Sequence, residues 1–414
     1  MRVVFLHPDL GIGGAERLVV DAAVAVRSCH QVVVYTTHHH PHHCFPETRD
    51  GTLKVVCVGD WLPRSVLGKG AALCAYLRML LLGLYVVLRV PFDVAIVDQV
   101  SVCVPLLRAF CRGKVLFYCH YPDLLLTTRK TFLKKIYRGV LDAIEEWSTS
   151  CAHKVLVNSA FTAGVFKQTF KSIKDPPAVL YPSLNTENFL KCPERNMDDL
   201  GISMAENGNL FVSVNRFERK KNLGLALHAL RQFLDTQDSD SEISTPSPKD
   251  STPTTPSPKG STHLVIAGGY DPQNRENIEH YEELVRLSSS LNLDEHVTFL
   301  KSPDEVTKVN LLRRATCLIY TPDAEHFGIV PIESMFCGTP VIGVNSGGPT
   351  ETVVHGVTGY LCPNTPEGFA AAMREVVPRS REMGEAGKRR VRERFSFERF
   401  SQDLTDIISE LAAT

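Results

Sequence analysis

The sequence predicts an α/β protein of two Rossmann-like domains, each built on a parallel sheet. Three observations lead there. Short β-branched runs recur along all 414 residues, with amphipathic helical stretches between them. The runs are apolar on both faces, as strands sandwiched between helical layers must be. There are eleven of them, too many for one sheet of ordinary width, so they divide into two sets.

In chain order the first set is Arg2–His7, Val32–Thr36, Lys54–Val58, Asp93–Asp98, Lys114–His120 and Lys154–Asn158. The second is Leu210–Asn215, His263–Gly268, Val297–Leu300, Cys317–Tyr320 and Pro340–Val344. The Pro-containing loop Tyr181–Asn185 marks the break, giving domains over 1–182 and 183–396. A final amphipathic helix occupies 397–414, and periodicity does not say which domain it joins. Residues Asp235–Thr262 are of another kind, rich in Ser, Thr and Pro with the near-duplicate TPSPKDST and TPSPKGST. They hold too little apolar surface to offset the entropy of ordering them, and read as a disordered insertion between a helix and a strand.

Composition narrows the class. Hydrophobic residues at 43% and charged residues at 22% exclude collagen, coiled coil and global disorder. Lys and Arg number 45 against 46 Asp and Glu, so no net field draws the chain to nucleic acid. The twelve cysteines are singles with no CxxC pair, which argues against a zinc or disulfide framework. No Asn-x-Ser/Thr acceptor occurs, and Met1 leads straight into a strand without a signal-like segment, so a cytosol-facing compartment is expected.

Ala71–Val90 is strongly apolar, but its uninterrupted core, from Met79, Leu80, Leu81 and Leu82 to Leu88, is short. Ten helical residues span about 15 Å, half the hydrocarbon thickness of a bilayer. The segment also lies between strands of one sheet. The expectation is a membrane-associated stretch over 71–90 that lies in the interface or dips into one leaflet. Downstream, Arg129, Lys130, Lys134, Lys135 and Arg138 form a basic helical stretch suited to anionic headgroups. The alternative is a buried core helix beside a solvated basic face.

Four motifs carry chemistry. Gly11-Ile-Gly-Gly-Ala-Glu-Arg17 joins the first strand to helix Ala15–Arg27, and Gly13 and Gly14 let backbone N–H groups approach an anion at a helix N-terminus. It is not GxGxxG, and no acid ends the second strand, which argues against a nicotinamide dehydrogenase. Asn215-Arg-Phe-Glu-Arg-Lys-Lys-Asn222 follows a strand and places four cations where open α/β sheets bind ligands. Such a cluster could neutralise a diphosphate without a metal. Glu325-His-Phe-Gly-Ile-Val-Pro-Ile-Glu333 follows the strand Cys317–Tyr320, and Gly347-Gly-Pro-Thr-Glu351 follows the next. His120 ends a first-half strand in Tyr118-Cys-His-Tyr-Pro-Asp123 and is a candidate for the interdomain cleft. The cluster His38–Cys44 lacks partnering carboxylates, and no metal site is assigned to it.

GIGGAER, HYPD, NRFERKKN, EHFGIVPIE and GGPTE, in that order over nearly the whole chain, resemble the retaining glycosyltransferases of family 4. That resemblance implies the GT-B fold, with two parallel sheets facing an interdomain cleft. It implies GDP-mannose as donor substrate and no required cofactor. The acceptor implied is Man1GlcNAc2 diphosphate-dolichol at the cytosolic face of the endoplasmic reticulum membrane, extended in α-1,3 and then α-1,6 linkage. Other mannosyltransferases of the same pathway are the implied partners, with no nucleic acid. By the same resemblance, Arg216 and Lys221 hold the donor diphosphate, Glu325 lies near the sugar hydroxyls and Glu333 binds the ribose. Gly328, Ile329 and Val330 supply backbone N–H groups, Gly13 and Gly14 close over the donor, and His120 lies beside the sugar. Two other readings remain: a family 4 hexosyltransferase using another sugar nucleotide, and a catalytically silent sugar-nucleotide-binding scaffold of a membrane complex.

Overall fold

A computed structural model describes residues 1–65, 70–126, 132–184, 186–196, 202, 208–243 and 262–413, without the side chains at 133, 134, 187, 188 and 238–243. The chain forms two compact units, Met1–Asn185 with Phe395–Thr414, and Thr186–Arg394.

The first unit carries a seven-stranded parallel sheet in the order β3-β2-β1-β4-β5-β6-β7. Its strands are β1 Arg2–His7, β2 Gln31–Thr36, β3 Val55–Cys57, β4 Val94–Asp98, β5 Lys114–Cys119, β6 Lys154–Val157 and β7 Ala178–Val179. Its helices begin with α1 Gly14–Val26, α2 Ala71–Arg89 and α3 Val104–Phe110, followed by α4 Asp123–Leu126, α5 Phe132–Ser150 and α6 Ala160–Thr169. Side chains alternate across the sheet with period two. Val3 and Phe5 of β1 therefore join one core with α1, while Val4 and Leu6 join another with α2, α3 and α6. β7 escapes the sequence pattern because two residues show no alternation.

The second unit has a six-stranded parallel sheet in the order β10-β9-β8-β11-β12-β13. Helix α7 Thr186–Leu190 precedes β8 Asn209–Val214, α8 Gly224–Ile243 and β9 Thr262–Gly268. Then come α9 Arg275–Ser290, β10 Val297–Lys301, α10 Glu305–Arg314, β11 Cys317–Tyr320 and α11 Ile329–Cys337. β12 Val341–Val344, α12 Pro349–Thr352, β13 Gly359–Cys362, α13 Pro366–Val376 and α14 Ser380–Arg394 complete it. β13 is the other strand the sequence pattern does not show: it is short and opens on Gly359.

Three points differ from the sequence reading or go beyond it. The expected insertion begins inside α8, which continues past Asp235 to Ile243, with Arg374 Nη1 donating to Thr236 Oγ1 at 3.2 Å. The rest of it, 244–261, lies outside the described residues. The final helix α15 Phe397–Ala413 belongs to the first unit, where Phe400, Leu404, Ile408 and Leu411 are buried against α1. Ser401 Oγ donates to Ala25 O there at 2.9 Å.

The third concerns the apolar segment. α2 is 19 residues long with mean hydropathy 2.1, enough by length and composition to cross a membrane, but 39% of it is buried in the unit. Met79 and Leu82, expected on the lipid side, are fully buried in the core with Cys74, Tyr76 and Val86. Leu80 and Leu81 are half-buried. The exposed stripe is instead Leu73, Leu77, Leu84 and Leu88, spaced to share one helix face. Arg138, expected as part of the basic surface, is also buried, and Nη2 donates to Asp123 Oδ2 at 2.8 Å with Asp142 3.4 Å away. Lys135 is exposed, Arg129 and Lys130 lie outside the described residues, and so does the side chain of Lys134.

Candidate active site

Ligands in open α/β sheets bind beyond the carboxyl ends of the strands, where the strand order reverses. In the second unit that point lies between β8 and β11. Arg216 to Lys221 follow β8, and Thr321 to Gly328 follow β11, so both motifs flank it.

Phe217, fully buried among Tyr270 and Tyr281, anchors the first loop. Its N–H donates to Gly269 O at 3.1 Å, and its carbonyl accepts from Asn277 Nδ2 at 3.1 Å. This turns the cations outward, though not all to one place. Arg219 Nη2 bonds Glu279 at 3.3 Å and Glu283 at 2.5 Å on α9, which removes it from the expected group of four. Arg216 and Lys220 both pair with Glu218, at 3.2 and 3.0 Å, and keep most of their side chains in solvent. Lys221 Nζ is paired with Glu325 Oε2, and both side chains are largely buried. Thr321 Oγ1 donates to Lys221 O at 2.6 Å, fastening the two loops together.

Gly328 opens α11 with no side-chain cap, so the first-turn N–H groups, those of Ile329 and Val330 among them, face an N-terminus suited to anions. One turn in, Glu333 Oε1 accepts from Lys308 Nζ at 3.0 Å, and Lys308 also meets Glu305 at 3.0 Å. Burial alone would lower the Lys308 pKa, but Glu333 and Glu305 outweigh it and raise it. Sequence reasoning did not find Lys308, which lies on α10, away from every motif. The glycines of GGPTE prove to be packing devices. Gly348 N–H donates to Glu325 O at 2.7 Å, and a Cβ at Gly347 or Gly348 would collide with the backbone of Glu325 or Phe327.

In the first unit the order reverses between β1 and β4. Gly13 caps α1 in extended conformation without a side-chain bond, and nothing lies near the Cβ position of Gly14. Register places His7 beside Asp98 at the ends of β1 and β4, and Asp98 opposite Tyr118 of β5. His120 follows β5, and its Nε2 lies 2.9 Å from Asp98 Oδ1. The other oxygen, Oδ2, lies 2.8 Å from His7 Nδ1. Burial alone would raise the Asp98 pKa, yet the two histidines outweigh it and lower it. Neither Asp98 nor His7 is visible as a site residue in the sequence. The His120 loop is held from below by Glu145, which accepts from the N–H groups of Asp123 at 2.7 Å and Leu124 at 3.1 Å. Among the histidines of the 38–44 loop, His38 meets Asp60 and His39 meets Thr48. Among the described residues no group of three or more His, Cys, Asp or Glu could hold a metal.

Two parallel-sheet α/β units, each with a glycine-opened helix at its switch point, define the class: this is the GT-B fold of glycosyltransferases. Sucrose-phosphate synthase of Thermosynechococcus elongatus has the same fold at TM-score 0.74 and 18% identity, covering 100% of this chain and 99% of that one. Residues 12–188 match the family described as Glycosyltransferase Family 4, and residues 201–390 the family described as Glycosyl transferases group 1. The alpha-1,3/1,6-mannosyltransferase ALG2 of Homo sapiens is 48% identical over 425 residues, covering 99% of this chain and 96% of that one. That of Dictyostelium discoideum is 42% identical over 426 residues, with 99% and 98% covered. The chain belongs to the alpha-1,3/1,6-mannosyltransferase family.

Proposed function

We propose that the protein transfers mannose from GDP-mannose to Man1GlcNAc2 diphosphate-dolichol, first in α-1,3 and then in α-1,6 linkage, giving the Man3 intermediate with retention of configuration. The observation that carries this reading is the Lys221–Glu325 pair at the switch point of the second unit, beside the uncapped N-terminus of α11. A diphosphate there replaces Glu325 as the partner of Lys221, joined by Arg216, and frees Glu325 for the sugar hydroxyls. The N–H groups of Gly328, Ile329 and Val330 meet the donor, and Glu333 meets the ribose. Gly13, Gly14 and His120 are assigned to the donor and its sugar by likeness to family 4.

In the transfer, the bond from mannose C1 to the diphosphate oxygen breaks as the acceptor hydroxyl attacks from the same face. The acceptor proton passes to the departing phosphate oxygen. Arg216 and Lys221 take up the charge that develops there, as prearranged cations do best in a site closed to water. No carboxylate is assigned as nucleophile, and no cofactor or metal is required.

The acceptor and its location are proposed from the outer surface of the first unit. Helix α5 is amphipathic in the reverse sense: Arg138, Glu145, Ser148 and Thr149 are buried, while Phe132, Ile136, Val140 and Trp147 are exposed. Leu125 and Leu126 of α4 and the leucine stripe of α2 are exposed as well, and Tyr137 Oη accepts from Leu73 N–H at 3.2 Å, which joins α2 to α5. Apolar area of this extent rimmed by Lys135 fits a lipid interface. The basic residues Arg129, Lys130 and Lys134 are assigned to the same role, at the cytosolic face of the endoplasmic reticulum.

The test uses purified protein, GDP-mannose and a synthetic Man1GlcNAc2 diphosphate-lipid, with linkage-specific mannosidases on the product. Two added mannoses, one of each linkage, are expected, in the presence of EDTA as well. Lys221→Ala should lower turnover by about 100-fold or more while the protein still folds. Transfer from a different sugar nucleotide would overturn the donor assignment. Donor binding with no product would overturn catalysis in favour of a scaffold.

A further inference from the structure

His7 has no exposed surface, yet its ring stands between two carboxylates. Nδ1 lies 2.8 Å from Asp98 Oδ2. Among the described residues Nε2 has no hydrogen-bond partner; it lies 3.9 Å from Glu16 Oε1, too long for a hydrogen bond but close enough for an ion pair. Taking such groups out of water is costly, and well-packed apolar residues are often as stable in their place. The arrangement therefore asks for a role beyond holding the fold.

We propose that His7 is a positioning residue for His120: by holding Oδ2 of Asp98 it presents Oδ1 to His120 Nε2–H and so fixes the tautomer and orientation of the His120 ring. The inference rests on the reading that His120 takes part in transfer. A buried carboxylate accepts hydrogen bonds and donates none, so each imidazole must give it a proton-bearing nitrogen. For His120 that nitrogen is Nε2, which leaves Nδ1 with its lone pair, an acceptor for a sugar hydroxyl. Burial pulls the His7 pKa down, but Asp98 and Glu16 outweigh it and raise it to about 9, so the ring is charged at neutral pH and balances the two acids. Its second partner ties it to the glycine loop as well. The Glu16 carboxylate overlies Gly13, where a Cβ would collide with Oε2. One buried ring thus holds the two loops of this unit that the motifs single out.

The test is ¹⁵N NMR of imidazole-labelled protein, with the His120 signal assigned through His120→Gln, alongside steady-state kinetics. In the unaltered protein the neutral His120 ring should be the Nε2–H tautomer. In His7→Phe it should become a mixture of tautomers, and kcat should fall on the order of 10- to 100-fold while KM for GDP-mannose moves less than about threefold. His7→Asn, which restores a donor toward Asp98, should recover part of both. If His7→Phe does not fold, His7→Leu, which likewise offers Asp98 no donor, gives the same readout. An unchanged His120 spectrum in the folded variant overturns the proposal, whatever turnover does. Full turnover in His120→Ala overturns the reading of His120 in transfer and leaves the His7–His120 link to the spectrum.

Discussion

A histidine carried into the interior between acids makes stability depend on pH in a direction that can be worked out. The pKa of His7 is 6.5 in the unfolded chain and about 9 when folded. The folded state holds this proton more tightly, so the stabilisation is complete below pH 6.5 and is lost as pH rises through about 9. The urea midpoint should therefore fall between pH 7 and pH 10, and His7→Gln should flatten that slope. Glu145 acts in the window below. Burial, aided by Asp123 and Asp142, raises its pKa from 4.5 to about 7 against the pull of the two N–H groups it accepts. At this scale the sequence was half legible. Arg216, Lys221, Glu325, Glu333 and His120 stand in strings that follow strands and resemble family 4 motifs, so the sequence could put them forward as candidates. Asp98 and His7 do not, because only the order β1-β4-β5 makes neighbours of strand ends that are 91 residues apart in the chain. Lys308 was hidden for the same reason, since its partner Glu333 is fixed by how α10 packs on α11.

Helices α2 and α5 show what periodicity can and cannot say. The sequence marks α2 as apolar, but an all-apolar helix does not say which stripe faces the core. Packing on α3 and β1 decides it, and puts Met79 and Leu82 inside and Leu73, Leu77, Leu84 and Leu88 outside. α5 misleads in the opposite way, since its basic and acidic positions look like a solvated face. Arg138 instead closes on Asp123 and Asp142 through Nη2, and Ser148 Oγ meets Ser101 Oγ at 2.7 Å, so these inward-facing groups find partners in the interior. Two variants separate the faces. Leu73, Leu77, Leu84 and Leu88 all changed to Ser should release the protein from liposomes with little loss of stability. Met79→Ala should cost about 2–5 kcal/mol in denaturant unfolding and leave liposome binding in the folded fraction intact.

Across the described residues, the two parallel sheets and eleven of the thirteen strands could be read from the sequence, because buried parallel strands are apolar runs. The allocation of α15 could not. Its apolar stripe fits any sheet face, and only the uncovered side of α1 decides where it goes. Removing residues 395–414 should therefore strip hydrogen-exchange protection from β1, α1 and β4 while β8, β9 and β11 keep theirs. Each of Phe400, Leu404, Ile408 and Leu411 contributes about 1.5–3 kcal/mol by burial, enough together to matter to a unit of ordinary stability.

The same helix sets a timetable for synthesis. Folding on the ribosome usually proceeds from the N-terminus, at about 5–20 residues per second. Here the first unit is translated early, but the helix that covers α1 emerges only after Thr186–Arg394 has been made. Throughout that interval the growing polypeptide carries the apolar side of α1 open to water, in addition to the exposed leucines of α2. For those seconds it is a client for chaperones, and ribosome profiling of chaperone-bound nascent chains should find it held until the codons for α15 have been read.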